Sequence, residues 1–200
     1  MEKFTKLTSN AISFPRRNVD TDLIIPARYL KTTKRSGLGE GAFAALRYKE
    51  DGSKDMTSIF NNVDYEMSKI LITGDNFGCG SSREHAAWAL VDLGVKVILA
   101  SSFADIFASN AFKNGILAIT VEQNVLEQLT EDVDKGAITI DLEQQKIIAP
   151  NQSIIDFDYD PFKKHCMMEG LDEIGLTLSG QKNIEAFEAR QKSISPWLYS

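Results

Sequence analysis

A chain of 200 residues, 43% hydrophobic and 25% charged, fits one domain of ordinary size with an appendage and has enough apolar material for a real core. Its 28 acidic and 22 basic residues give a net charge of −6, which argues against the basic face of a nucleic-acid binder but leaves room for a local cationic pocket. The N-terminus MEKFTKLTSN carries no visible targeting segment, and no apolar run approaches the roughly 20 residues that span a bilayer. Two cysteines, Cys79 and Cys166, are no disulfide framework, so the cytoplasm is the expected location and no membrane is expected.

The segment 4–14 reads as one short strand. Asp20, Thr21 and Asp22 are turn-formers, and the apolar run Leu23 to Ile25 is stopped by Pro26. Residues 31–42, KTTKRSGLGEGA, combine three glycines with Lys31, Lys34 and Arg35, which predicts a mobile, positively charged loop. KILIT at 69–73 is a buried strand by composition, GDNFGCG at 74–80 a glycine-rich turn, and SSREHAAWALVDLG at 81–94 a helix with Ala86, Ala89, Leu90 and Leu93 on one face. Ser81 followed by Glu84 fits a capping box, and Gly94 fits a C-terminal stop. VKVILA at 95–100 is a second buried strand. Ser102 with Asp105 opens a helix that ends at Asn114-Gly115, and ILAITV at 116–121 is a third strand. The β-α-β-α-β order implies a central parallel sheet in an α/β fold. Beyond it, AITIDLEQQKIIAP reads as a hairpin turning near Gln144, SIIDFDY at 153–159 as an additional strand, and 161–168 and 181–191 as helices. One domain spanning 1–200 is expected, with a C-terminal helical tail at 179–200 that carries Trp197.

The chemistry concentrates in GDNFGCGSSREHA at 74–86. A strand runs into a glycine turn and then a helix start, which exposes backbone N–H groups at the positive end of a helix dipole. Arg83 adds a cation where it is unfavourable for the helix itself, which suggests an anionic ligand such as a carboxylate or phosphate. No Gly-Lys-Ser/Thr follows the glycines, so this is no Walker loop. From the residues alone a plain cap and tight turn, an anion site, and serine catalysis all stay open.

Four blocks carry a resemblance. GDNFGCGSSREHAAWAL resembles the signature of the swivel domain of the aconitase superfamily, a β/β/α domain, and SFADIFASNAFKNGIL at 102–117 is similar to its next block. NVDTDLIIPARYLK at 18–31 resembles the N-terminal block, and HCMMEGLDEIGLTL at 165–178 the closing block of 3-isopropylmalate dehydratase small subunits. The blocks stand in family order over nearly the whole chain, and the length resembles the bacterial type.

The resemblance implies a hydro-lyase of leucine biosynthesis that interconverts 2-isopropylmalate and 3-isopropylmalate through isopropylmaleate. It implies Ser81 as the base, acting as an alkoxide, with Ser82 and Arg83 binding substrate. Arg35 would hold a second carboxylate, with Lys31 or Lys34 as substitutes and Leu38 a possible apolar contact. The loop would close over a small dicarboxylic hydroxy acid. It further implies a [4Fe–4S] cluster held by three cysteines; this chain has two, so no metal or cofactor is expected on it, and a partner large subunit would carry the cluster. Plain structural roles are expected for Cys79, His85, Tyr29 and Leu30, and Asn110 is a candidate to hydrogen-bond the loop. Asp20 and Asp22 read as turn residues or as orienters of an arginine, and Trp197 as core or partner interface. The alternatives are a sister hydro-lyase subunit for homoaconitate or methylmalate, and a non-catalytic anion-binding module.

Overall fold

A computed structural model of the chain describes residues 1–32, 34–62 and 67–199; Thr33 of the glycine-rich loop, residues 63–66 and Ser200 lie outside the described residues. The first expected strand divides in two. β1 (Lys6–Ser9) runs antiparallel to β6 (Ile138–Asp141), whereas β2 (Ala11–Phe14) runs parallel to β3 (Ile70–Thr73). Asn10 alone separates them: Ser9 faces Ile138 across one ladder and Ala11 faces Ile70 across the other. The crossing is pinned by the Ser9 hydroxyl, which accepts the Lys69 amide at 2.9 Å.

Two four-stranded sheets result. The parallel one has the order β2-β3-β4-β5, with β4 at Val97–Ala100 and β5 at Leu117–Thr120. The antiparallel one has the order β1-β6-β7-β8, with β7 at Lys146–Ile148 and β8 at Ile154–Asp156. The expected hairpin is β6 and β7. The helices are α1 (Thr21–Ile24), α2 (Ala44–Arg47), α3 (Glu84–Leu93), α4 (Asp105–Lys113), α5 (Gln123–Asp132), α6 (Pro161–Glu169), α7 (Glu173–Ser179) and α8 (Gln181–Ile194). None of the described helices is long and apolar enough to cross a membrane.

Both faces of the parallel sheet are covered, which is why its central strands read as unbroken apolar runs. Leu71 and Ile98 point into one core with Ala86, Ala89 and Leu90 of α3 and Phe107 of α4. Ile70, Ile72, Val97 and Leu99 point into a second core with Leu126 and Leu129 of α5 and Ile138, Ile140 and Ile147 of the antiparallel sheet. Helix α5 was not among the expected elements, although Leu126 and Leu129 are spaced as one helical face.

Beyond the C-terminal ends of β2, β3 and β4 the chain continues as three segments that hydrogen-bond to one another. On one side of the glycine turn, Gly74 N–H donates to Arg16 C=O (3.1 Å), Asn18 N–H to Asp75 C=O (2.8 Å), Gly78 N–H to Val19 C=O (2.7 Å) and Thr21 N–H to Cys79 C=O (2.9 Å). On the other, Phe77 N–H donates to Ser102 C=O (3.1 Å) and Ala104 N–H to Phe77 C=O (3.0 Å). Gly78, at φ +78, lies so close to Phe107 that a Cβ would sit 2.1 Å from a ring carbon. Gly78→Ala should therefore cost about 2–4 kcal/mol, through backbone strain and a clash inside the core. Gly52→Ala, at φ +81 but with open space around it, should cost only about 1 kcal/mol. Urea midpoints at unchanged m-value measure the difference.

Candidate active site

Ser81, Ser82 and Arg83 follow directly from the glycine turn. The expected capping box does not form: α3 begins at Glu84, its N-cap is Arg83, and no side chain caps it. Tertiary partners take both box residues instead. The Thr21 hydroxyl lies 3.3 Å from Ser81 Oγ and accepts the Ser81 amide at 3.2 Å. The Glu84 carboxylate accepts from Asn114 Nδ2 (2.9 Å) and Trp88 Nε1 (3.2 Å). Ser81 and Ser82 are thus left exposed.

Arg83 pairs with Asp22, one residue beyond Thr21. Asp20 instead caps α1, accepting the Leu23 amide at 2.7 Å. Each of the two readings offered for these aspartates is therefore realised once. Ser102 does not cap α4; its hydroxyl donates to Asp75 Oδ1 (2.6 Å) and accepts the Asn76 amide (2.8 Å). The Ser102 hydroxyl, ahead of the Arg17 guanidinium, holds the Asp75 carboxyl below its ordinary range. Asn114, with help from Trp88, Arg35 and Lys113, does the same for Glu84 against the opposing effect of burial. Both shifts are downward, so both contributions to stability are present at neutral pH. They are lost only as pH falls through the lowered folded-state values.

The structure does not bring Arg35 to Ser81. Its guanidinium lies 5.1 Å from the centre of the Trp88 ring, in the second turn of α3, at the edge of a cavity of about 520 Å³. That cavity is lined also by Asp92, Lys96, Lys113 and Asn114, and not by Ser81, Ser82 or Arg83. Lys96 is paired with Glu2 and Lys113 with Glu173, so it is no unsatisfied anion site. Lys31 and Lys34 are exposed. Leu38 is buried in the first core at 2% exposure, a packing residue in this conformation.

Within 37–42 the backbone is held at specific points, although Gly37 and Glu40 are exposed. Asp92 Oδ2 accepts both the Gly37 amide (2.9 Å) and the Gly39 amide (2.7 Å). A Cβ at Gly39 would meet the Asp92 backbone at 2.8 Å, and buried Arg47 donates to Gly39 C=O at 2.6 Å. His85 has a structural setting, with Nε2 3.1 Å from Thr32 C=O and its ring against Trp88. Tyr29 and Leu30 pack on the first core. Asn110 meets the neighbouring Asn114 through its backbone carbonyl; the side chain that reaches Glu84 is Asn114. Among the described residues no group of three or more His, Cys, Asp or Glu side chains is placed to hold a metal ion.

Comparison with known proteins settles the family. Residues 1–124 match the model of the aconitase C-terminal domain, and residues 173–199 match that of the C-terminal domain of 3-isopropylmalate dehydratase small subunits. The 3-isopropylmalate dehydratase small subunit of Afipia carboxidovorans is 53% identical over 99% of this chain and 100% of its own length. That of Brucella canis is 52% identical over 98% and 100%. The chain belongs to the 3-isopropylmalate dehydratase small-subunit family. The fold agrees: the crystal structure of the Methanocaldococcus jannaschii 3-isopropylmalate dehydratase superposes with a TM-score of 0.67 at 28% identity, covering 92% of this chain and 99% of that one. The resemblance read from four blocks thus extends over the full length of bacterial small subunits.

Of the residues read from that resemblance, Ser81, Ser82 and Arg83 are adjacent and Arg35 stands apart. Spacing gave no sign of Asp92 as the clamp on residues 37–39, or of the contact between Thr21 and Ser81. In the free chain the Gly37 and Gly39 amides should exchange slowly and those of Arg35 and Ser36 quickly. Asp92→Ala should raise exchange at Gly37 and Gly39 by at least tenfold, the size expected for losing a charge-assisted hydrogen bond of about 1.5–3 kcal/mol. Equal fast exchange across 34–42 in the unaltered chain would mean that the clamp does not hold in solution.

Proposed function

We propose that this chain is the small subunit of a two-subunit hydro-lyase that interconverts 2-isopropylmalate and 3-isopropylmalate through isopropylmaleate. The observation that carries the reading is the Ser81–Ser82–Arg83 run just ahead of α3, its two serines exposed and its arginine half-buried, in a chain that matches small subunits over their full length. Ser81, ionised, takes the proton next to a substrate carboxylate and becomes a hydroxyl. The C–H bonding pair forms the double bond as hydroxide leaves the neighbouring carbon. Rehydration returns proton and hydroxyl to exchanged positions. Arg83 holds a carboxylate on which charge builds during proton removal, the task for which a planar, permanently charged donor is suited. Arg35 would reach the second carboxylate by leaving Trp88, swinging about the backbone that Asp92 holds at Gly37 and Gly39.

The residues present do not fit an iron–sulfur cluster. Cys79 lies in the glycine loop, Cys166 is buried in α6, and both are free thiols, in keeping with a reducing cytoplasm. We therefore assign the cluster implied by the family to the large subunit. The tail is the surface we assign to that partner. Helices α7 and α8 and the 3-10 turn Pro196–Leu198 contain no buried residue, and Ile174, Trp197 and Leu198 are 71%, 70% and 67% exposed. Trp197 is therefore not a core residue. The charges of α7 and α8 balance, Glu173, Glu185 and Glu188 against Lys182, Arg190 and Lys192, which suits an apolar protein groove better than an anionic surface.

Ser81→Ala should lower kcat of the assembled enzyme by roughly 10²–10⁴-fold with substrate still bound. Retention of more than about a tenth of the activity would remove Ser81 as the base. Assays against isopropylmalate, homoaconitate and methylmalate separate this substrate from those of sister enzymes. Inactivity toward all three, with anion binding intact, would favour a non-catalytic module.

Deleting 173–200 should leave both cores folded and weaken association with the large subunit by at least tenfold, about 1.4 kcal/mol. Titration calorimetry measures it, and unchanged affinity would free the tail from that role.

A further inference from the structure

We infer that Thr21 is a positioning residue for the reaction: its hydroxyl donates to Ser81 Oγ and favours the ionised base. The inference rests on the reading of Ser81 as that base. A serine hydroxyl is a very weak acid, so the site needs something that prefers its oxyanion to its neutral form. The backbone amides of Phe77 and Gly78 are engaged with Ser102 and Val19, and the Ser81 amide with Thr21, so these three donors point elsewhere. Thr21 does not.

Thr21 is 2% exposed, and its main chain is fixed at both ends. Its N–H donates to Cys79 C=O at 2.9 Å and its C=O accepts the Ile25 amide at 2.9 Å. The capping of α1 is done by Asp20, so the Thr21 hydroxyl is not needed there. That hydroxyl accepts the Ser81 amide at 3.2 Å and lies 3.3 Å from Ser81 Oγ. A hydroxyl has one hydrogen and two lone pairs, so accepting the amide leaves its hydrogen available. While Ser81 is neutral, either oxygen can donate. Once Ser81 is ionised it has no hydrogen, and only Thr21 can. The bond then becomes charge-assisted, and its Thr21 end is buried. Gly80 keeps the approach open, since a Cβ there would stand 3.3 Å from Thr21 Oγ1. A β-branched residue holds its hydroxyl in few rotamers, which aims the donor.

The test uses the assembled two-subunit enzyme and isopropylmalate, with Thr21→Val to remove the hydroxyl at constant shape and Thr21→Ser to keep it. Losing a hydrogen bond to a charged group predicts that Thr21→Val lowers kcat by about 10- to 100-fold with KM changed less than about threefold. The rising, acidic limb of the pH–kcat profile should move upward by about one to two pH units, because the base becomes harder to ionise. Thr21→Ser should restore most of kcat and return the limb to its original place. A Val variant with kcat within threefold of the unaltered enzyme overturns the inference. So does loss of activity with an unmoved limb, or a Ser variant whose limb moves as far as that of Val. If Val prevents assembly, Thr21→Ala, which also lacks the hydroxyl, takes its place and is read by the same limb. Ser81→Ala, measured beside them, separates the two readings. Activity there removes the base itself, whereas inactivity there with an active Thr21→Val removes only Thr21.

Discussion

The site depends on the close approach of Gly78 to Phe107. It lets the glycine turn lie flat between the segments that follow β2 and β4, with Gly78 N–H on Val19 and Phe77 N–H on Ser102. These segments leave the C-terminal ends of neighbouring parallel strands, where ligands usually bind in open α/β sheets. Because the turn is held from both sides, helix α3 starts late, at Glu84. Ser81 is left outside the helix, with its hydroxyl directed at Thr21 instead of at an N–H of its own first turn. A larger residue at 78 would disturb the register that sets Ser81, without touching Ser81 itself.

Charge at the helix start follows the same logic. A cation at an N-cap opposes the helix dipole. Arg83 is retained there with Asp22 as partner, an acid supplied by the segment after β2. Asp22 is mostly exposed and Arg83 about a third exposed, so the pair is a weak, solvent-screened one. A weak pair suits the proposed exchange of Asp22 for a substrate carboxylate on Arg83, since little is lost when Asp22 returns to water. Thr21 and Asp22, adjacent in sequence, thus face Ser81 and Arg83.

How much of this was legible from sequence varied with the physics of each element. Strands β3, β4 and β5 were legible because a parallel sheet covered on both faces needs unbroken apolar runs. The division of 4–14 into two strands was not, since a single residue, Asn10, separates two ladders whose partners lie far apart in the chain. Ser81 and Glu84 matched a capping box in spacing, and the match failed because Thr21, Asn114 and Trp88 compete for the same groups. The glycines of 31–42 suggested looseness. Gly39 instead allows contact with the Asp92 backbone, and Gly41 with the Tyr29 ring, a use of glycine that composition does not distinguish from flexibility. The family blocks located Ser81 and Arg83, but a contact across 60 residues such as that of Thr21 with Ser81 needs the fold.

The C-terminal tail differs from the rest of the chain in the apolar surface it leaves uncovered. Ile174, Trp197 and Leu198 are exposed on a helix and a turn that contain no buried residue, and they lie in the segment matched by the small-subunit model rather than by the aconitase one. An exposed apolar face of this kind is costly in a free protein, and covering it is the physical reason for proposing the tail as the surface that meets the large subunit.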